Sequence, residues 1–489
     1  MAQFFSAKRS RNKAVNDKLP KIEVSVDTID HHGNGIYLSH KPIIVIAGGL
    51  LGERYLVQVK SQKSGVWHAD VVTVFHENAE LRALPFCKYF KECGGCSHQH
   101  IRPQAFLQAK QSSLRSYIYK HVAQHRLNKC VWEDPLNSLV DGQSSELTGE
   151  KPIEYRRRAR LAIDARNKSN PKIGFRKSKS NKVVDVDSCP VFSSGLQKVQ
   201  SAIISLLKQL PDLSHIGHII LTEGVYAVQV SLHLTKALSR SSVGELRKFQ
   251  SSFTNDALEI VYQVKNGAIV EVSSAELPDV EEQNTSAALE VSDLTSYRTW
   301  VKPTQFIQVN KVVNQKMLSK VSEWLALDGS EHVIDLFSGV GNFGLALAPM
   351  AKRVVGYEGI ASMVQQARMN AQRSGIDNIE FEHVDLTQAN IIEQVSITEN
   401  SILVIDPSRE GALAVATQLS DRENVKQKGA QNKHHILPKK IVYVSCNPTS
   451  FIRDLNAMPA AYAVTKLCAL DMFPYTKHLE LMALLEIQP

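Results

Sequence analysis

The chain has 489 residues, 43% of them apolar, and its 57 Lys and Arg against 49 Asp and Glu leave a net charge of +8. That length suggests roughly three domains at about 150 residues each, with ample material for buried cores and a basic excess that permits a polyanionic partner without requiring one. No run of about 18 apolar residues is present, which excludes a membrane-spanning helix; Met1–Lys18 is polar and lacks the apolar stretch of a signal peptide, so a cytoplasmic protein is expected, whose seven cysteines point to metal or catalytic thiols rather than disulfides.

In chain order, Met1–Asp17 carries Lys8, Arg9, Arg11 and Lys13, either a solvated basic terminus or an arm for nucleic acid. From Lys18 to about His76 short β-segments alternate with turns: Ile22–Val26 with period two, the turn His32-Gly33-Asn34-Gly35, then Ile43–Ile46, Tyr55–Lys60 and Ala69–Val74. Strands this short at this spacing predict a small β-barrel.

A chemical feature follows. Cys87, Cys93 and Cys96 form C-x5-C-x2-C around a flexible Gly94-Gly95 step, so three thiols can converge on one metal centre. Cys189, in a turn-like setting before Pro190, is the candidate for a fourth. Zinc sites usually pair two C-x2–4-C knuckles, whereas three close cysteines with one remote are more typical of an iron–sulfur cluster. Spacing leaves both open. Cys130 and Cys468 stand alone and read as core or surface thiols.

Ile101–Lys129 reads as helix and Asn137–Pro152 as a polar loop. Arg156, Arg157, Arg158 and Arg160, with Lys172–Lys179 and Phe175 close by, predict a phosphate-contacting strand with Arg158 and Arg160 on one face; a solvated charged face is the alternative. Val199–Ser274 adds helix and strand, and the acidic stretch Ala275–Leu294 reads as a loop.

Thr304–Asn310 leads into a helix over Val312–Leu327 and then into Val333–Gly344, an apolar strand with Asp335 near its end followed by a turn holding Gly339, Gly341 and Asn342. Glycines at Gly339 and Gly341 let backbone approach a ligand with no Cβ in the way. The next strand, Arg353–Tyr357, ends at Glu358, where a carboxylate would reach the hydroxyls of a ribose. Asp385 closes a third apolar segment, Ile379–Val384. Acidic residues at three successive strand ends fit an adenosine-type cofactor better than a phosphate, which carboxylates would repel. Ile402–Ile405 ends in Asp406-Pro407, at the edge where open α/β sheets bind ligands. Thr417–Lys433 reads as a loop insertion. Lys440–Ser445 places Cys446 at the tip of an apolar strand, a nucleophile candidate beside that edge. The segment Asp471–Glu480 can return His478 and Glu480 to the same place before a last strand, Leu481–Ile487.

Four motifs, Asp335-Leu336-Phe337-x-Gly339-x-Gly341-Asn342-Phe343, Asp406-Pro407-x-Arg409, Ser445-Cys446-Asn447-Pro448 and Phe473-Pro474-x-Thr476-x-His478-x-Glu480, together resemble the RNA 5-methyluridine methyltransferases that use S-adenosylmethionine. The N-terminal strand order resembles a TRAM domain, an RNA-binding barrel related to the OB-fold. The resemblance covers nearly the whole chain. It implies an α/β protein of three domains: an OB-like TRAM barrel over 15–76, a central α+β iron–sulfur and RNA-binding domain over 77–298, and a Rossmann-like methyltransferase domain over 299–489. It also implies Cys446 as nucleophile and Glu480 as the proton-abstracting base. Gln308, Phe337, Asn342, Glu358, Asp385 and Asp406 would bind S-adenosylmethionine, and Cys87, Cys93, Cys96 and Cys189 would hold a [4Fe-4S] cluster. The transfer-RNA branch lacks barrel and cluster, so a chain with both looks like the branch that methylates 23S ribosomal RNA, at the uridine-1939 site, as a cytoplasmic monomer. Another ribosomal or transfer-RNA uridine, a non-catalytic RNA-binding scaffold and a radical enzyme using the cluster are the rivals. The C-x5-C-x2-C spacing departs from the C-x3-C-x2-C that radical chemistry usually wants. Ser338, where some relatives carry Cys, Glu410 near the substrate edge and the long Thr417–Lys433 insertion depart from the family pattern.

Overall fold

The computed structural model describes residues 19–63, 65–138, 152–253, 257–273, 288–294, 297–388, 391–427 and 436–488. The basic arm with Lys8, Arg9, Arg11 and Lys13, most of the loop expected over Asn137–Pro152, and Lys428, Gly429 and Lys433 lie outside them. Internal contacts divide the chain into two units: Met1–Leu84 with His100–Leu114, and Pro85–Gln99 with Arg115–Pro489.

The first unit is a curled six-stranded sheet of β1 (Lys21–Ser25), β2 (Thr28–Ile29), β3 (Gly35–Tyr37), β4 (Ile43–Ala47), β5 (Arg54–Lys63) and β6 (Val66–His76), in the order β1-β5-β6-β4-β3-β2. Period-two alternation explains the core of the sheet, where Val24, Ile44, Ile46, Tyr55 and Val57 meet. The buried Glu53 carboxylate accepts from the Asn78 amide and from Arg82, and Tyr55 donates to it. Burial would raise this acid, but those donors hold it below its ordinary value.

The second unit holds two large sheets. After α1 (Pro103–His121), whose residues as far as Leu114 belong to the first unit, and β7 (Val131–Trp132) come β8 (Arg158–Asp164), β9 (Lys172–Arg176), β10 (Val183–Asp185), α2 (Ser194–Gln209), β11 (Ile216–Glu223), β12 (Val228–Leu234), α3 (Arg240–Ser251), β13 (Leu258–Val264) and β14 (Ile269–Glu271). Their seven strands run β10-β9-β8-β11-β12-β13-β14. Leu196, Ile203 and Leu207 of α2 and Leu246 of α3 pack on Leu161, Leu221, Val230 and Ile260 of the sheet. The loop expected over Ala275–Leu294 is corrected at its end. Leu289–Leu294 forms β15, which pairs antiparallel with β16 (Tyr297–Val301), because Leu289 and Val291 bury against Val301 and Ile307.

The remaining elements are α4 (Lys311–Leu325), β17 (His332–Leu336), α5 (Asn342–Leu347), β18 (Arg353–Glu358), α6 (Ala361–Arg373), β19 (Ile379–His383), α7 (Ile391–Gln394), β20 (Ser401–Ile405), α8 (Leu413–Gln427), β21 (Lys440–Ser445), α9 (Pro448–Ala457), β22 (Tyr462–Leu470) and β23 (Glu480–Ile487). The eight-stranded sheet runs β19-β18-β17-β20-β21-β23-β22-β7. Its first five strands are parallel and β23 is antiparallel to both neighbours. Continuous apolar runs such as Ile402–Ile405 are what a sheet covered on both faces requires. Valines at 333, 354, 404, 442 and 444 face α4, α5 and α6. Most of the Thr417–Lys433 insertion, read as loop, is helix as far as Gln427. Leu419, Val415 and Ala416 bury one stripe of α8 that the polar residues around them hide in a linear reading. The edge strand β7 lies in the stretch assigned above to the central domain. The Arg126 guanidinium donates to the carbonyls of Met458, Pro459 and Tyr462 beside it.

Candidate active site

Strand register assembles the site. Leu336 lies opposite Tyr357 and Ile405, and Ile405 opposite Tyr443, so β17 and β20 end level while β21 runs two residues further, to Ser445. Phe337, Glu358, Asp406 and Cys446 therefore follow along one edge. Antiparallel β23 begins there: Ser445 pairs with Leu481, and one step further along both strands stand Cys446 and Glu480.

The glycine turn is built as its sequence demands. Gly341, with φ +98°, caps α5, and a Cβ there would meet Leu345 and Phe381 at about 3 Å. Gly339, with φ +58°, faces open space where a Cβ would touch nothing within 4 Å. Phe337 also takes a left-handed φ of +63°, a conformation that costs a non-glycine residue about 1–2 kcal/mol. The Glu358 carboxylate shapes the turn by accepting from the Gly339 and Ile360 amides at 3.0 and 2.9 Å. Each oxygen keeps a second acceptor site for a ligand hydroxyl. Asn342 exchanges reciprocal 3.0 Å amide bonds with Asn314 of α4. Asp385 accepts from the amide and hydroxyl of Thr387, which hold its acid low. Gln308 is half-buried, and its carbonyl accepts from Arg157.

Three acids at this edge hold protons near neutrality. Burial raises Asp335 to about 8, against the Gly344 amide that favours its charged form. Burial raises Asp406 to about 7. Glu480, 7% exposed, rises to about 8 through burial and then the charge of Asp406, with Arg409 opposing. The Cys446 thiol is also pushed up, by burial first, then Glu480 and Asp406, again against Arg409. The thiol thus feels Glu480, and both groups feel Asp406 and the same guanidinium. Asp335 Oδ1 and Ser338 Oγ are buried without a hydrogen-bond partner.

Sequence reasoning missed what holds Arg409. The fully buried Asp454 of α9 accepts from the Ala412 amide, the Tyr443 hydroxyl and Arg453, while Arg453 donates to the Glu410 carbonyl and Asn447 to the Arg409 carbonyl. A lone Asp within a helix gives no pattern that announces this role. Glu410 and Arg409 line a groove with Phe337, Thr387, Asn447 and Arg453.

The four cysteines Cys87, Cys93, Cys96 and Cys189 line one pocket in the same unit, with Tyr89, Phe175 and Arg156. Burial raises Cys96 to about 11 and Cys189 to about 12. Among the described residues no group of three or more His, Cys, Asp or Glu has the geometry to hold a metal ion. The adjacent cations correct the expected phosphate strand. Arg157 is buried and donates to the carbonyls of Gln308 and Val291; Arg158 donates to the Pro303 carbonyl; Arg156 donates to the Arg158 carbonyl and lies over Phe175. Only Arg160 of the four is exposed. It approaches His218, whose ring stacks on His233 at 4.2 Å.

A mainly parallel sheet with a glycine turn after β17, a carboxylate closing β18 and a thiol at the same edge is an arrangement compatible with a methyltransferase. Residues 135–488 match the family model described as tRNA (Uracil-5-)-methyltransferase, and the chain belongs to that family. It is 34% identical over 484 residues, 99% of this chain and 91% of the relative, to an Alteromonas mediterranea protein named 23S rRNA (uracil(1939)-C(5))-methyltransferase RlmD. It is also 34% identical to the Shewanella frigidimarina protein of the same name, over the full length of both. Among solved structures it is similar to the Pyrococcus abyssi tRNA (uracil-54, C5)-methyltransferase in complex with S-adenosyl-L-homocysteine, with TM-score 0.67 and 24% identity over 95% of this chain and 99% of that one. The fold is therefore shared along nearly its whole length. No helix among the described residues is long and apolar enough to cross a membrane.

Proposed function

We propose that this methyltransferase carries a methyl group from S-adenosylmethionine to carbon 5 of a uridine in 23S ribosomal RNA, the uridine-1939 site, through a covalent adduct on Cys446. The observation that carries the reading is the placement of Cys446 and Glu480 one step beyond a paired register, at the edge that Glu358 and Asp406 share. The substrate assignment is supported by the full-length likeness to relatives named for that reaction.

The open space at Gly339 fits a ligand lying across the turn. Gln308, Phe337, Asn342, Glu358, Asp385 and Asp406 would hold the cofactor there, which supplies an electrophilic methyl group on a sulfonium. The Cys446 thiolate adds to carbon 6 of the uracil, and the displaced electron pair makes carbon 5 nucleophilic. Once carbon 5 is methylated, the Glu480 carboxylate takes its proton. The freed pair restores the ring double bond and the thiolate leaves. A base whose acid lies near 8 suits this step better than an ordinary carboxylate, because general-base efficiency peaks when the pKa is close to the working pH. The target base must leave its stack to reach Cys446.

The four cysteines fit a [4Fe-4S] cluster by their chemistry: four thiols on one apolar-walled pocket, with an arginine beside it to offset thiolate charge. A cluster holds its sulfurs further apart than a single ion does, which is compatible with thiols that share a pocket without meeting at one point. The methyl transfer uses no electron, so the cluster's role would be structural. The curled N-terminal sheet is read as the TRAM RNA-binding module.

Tritium transfer from labelled cofactor to 23S RNA, with base mapping in a deletion strain, tests the function. Wild-type protein is expected to label one uridine and Cys446→Ala none. Full labelling by Cys446→Ala, or an unchanged RNA methylation map after deletion, overturns it.

A further inference from the structure

The connection from β22 to β23, Asp471–Leu479, delivers Glu480, yet its midpoint is fastened to the cysteine pocket. Tyr475 is buried and takes a left-handed φ of +62°, a conformation that a non-glycine residue keeps only when its surroundings over-determine it. Those surroundings are specific. The Tyr475 carbonyl accepts from two consecutive amides, Ser97 at 2.9 Å and His98 at 3.0 Å, directly after Cys96. Its hydroxyl accepts from the Ile153 amide at 2.9 Å. Its ring meets Phe86 edge-on at 5.1 Å, and Cys96 and Cys189 pack against the same apolar cluster. On the far side the turn is closed: the Thr476 amide and hydroxyl donate to the Phe473 carbonyl, and the His478 amide donates to the Thr476 hydroxyl. Little slack remains between Tyr475 and Glu480, which pairs with Leu470 at the start of β23.

We propose that Tyr475 is a positioning residue, the part through which the four-cysteine pocket fixes the carboxylate of Glu480 against the uracil adduct. The inference rests on the reading of Glu480 as the base. It gives the pocket a task in a reaction that needs no electron: a pocket that loosens releases the turn that carries the base. The early steps at Cys446 and the cofactor edge do not pass through this turn, so the defect falls on proton removal.

The test combines hydrogen exchange with adduct trapping in the full-length protein. In Tyr475→Ala, exchange over 471–480 is expected to rise. The covalent RNA adduct is expected to accumulate during turnover as a denaturation-resistant band, with kcat falling about 10²-fold and cofactor affinity unchanged. Tyr475→Phe, which keeps the ring and the carbonyl contacts, restores most of both readouts. Cys96→Ser perturbs the pocket while sparing Tyr475, and is expected to raise exchange over the same residues. Unchanged exchange over 471–480 in Cys96→Ser or Tyr475→Ala overturns the coupling, and so does loss of kcat in Tyr475→Ala without adduct. If Glu480→Gln itself traps no adduct, the assignment of the base fails, and the exchange measurements alone decide whether the pocket holds the turn.

Discussion

Replacing Glu480 by Gln separates what this carboxyl does for the reaction from what it costs the fold. Burial moves the acid from 4.5 to about 8 in the native protein, whereas in the unfolded chain it ionises at its ordinary value. Between those two values the native state binds the proton and the unfolded state does not, so stability falls as pH rises through that window and is flat above it. At about 1.4 kcal/mol per pKa unit the shift corresponds to about 5 kcal/mol as a ceiling. Local relaxation and water penetration reduce the realised cost to about 2–3 kcal/mol. Gln has the same shape and cannot ionise. Glu480→Gln is therefore expected to melt about 2–4 °C above wild type at pH 8.5, with the gap closing as pH falls toward 4.5. The same variant is expected to trap the RNA adduct. Scanning calorimetry of both proteins across pH 5 to 9 measures the first effect, and a denaturing gel with labelled RNA the second. A melting difference that does not change with pH would refute the reasoning about burial. Product release at the wild-type rate would refute the assignment of the base.

Three further outcomes follow from the site. Glu358→Gln replaces an oxygen that accepts from the Gly339 or Ile360 amide with a donor, and is expected to weaken S-adenosylhomocysteine binding about 10–100-fold by calorimetry; unchanged affinity would remove Glu358 from the cofactor edge. Asp406 holds its proton up to about 7 in the free protein, and a nearby sulfonium favours the ionised form. S-adenosylmethionine is thus expected to bind about 3–10-fold more tightly at pH 8 than at pH 6, with a weaker trend for S-adenosylhomocysteine, whose sulfur is uncharged; parallel trends for the two ligands would show that the sulfonium does not sense this acid. Asp454→Ala leaves the Tyr443 hydroxyl without its acceptor and the Ala412 amide with only that hydroxyl, at 3.2 Å. It is expected to cost about 3–5 kcal/mol in urea unfolding, and a loss under about 1 kcal/mol would show that the Arg409 loop is held by something else.

The legible parts of this chain were those whose meaning is local. A glycine turn after an apolar strand, a carboxylate at a strand end and a cysteine at a strand tip each declare themselves within a dozen residues, and the sheet brings Phe337, Glu358, Asp406, Cys446 and Glu480 to one edge. The arginine strand was not legible because its fate is decided far away. The partners of Arg157 are carbonyls 134 and 151 residues further along, and nothing near Arg157 distinguishes a cation bound for carbonyls from one bound for phosphate. Strand β22 went unread between two stronger signals, although Tyr462–Leu470 is apolar throughout apart from Thr465 and Lys466. Helix α8 was mistaken for loop because its polar residues outnumber a narrow buried stripe. Four cysteines on one pocket could be anticipated from spacing; the tyrosine that carries that pocket's packing to the base could not.

The two-residue strand β7 has a consequence for how the protein comes into being. Lys466 and Leu467 pair with Val131 and Trp132, and the Leu467 carbonyl accepts from the Glu133 amide. The border of the catalytic sheet is thus translated more than 300 residues ahead of the strand it covers. A nascent chain must keep this strip available while the whole middle sheet folds. A fragment beginning at residue 299 would emerge with the flank of Tyr462–Leu470 bare, open to pairing with its own kind. Cutting the enzyme at its apparent seam should yield insoluble material, whereas supplying residues 115–138 as a separate peptide should return it to solution.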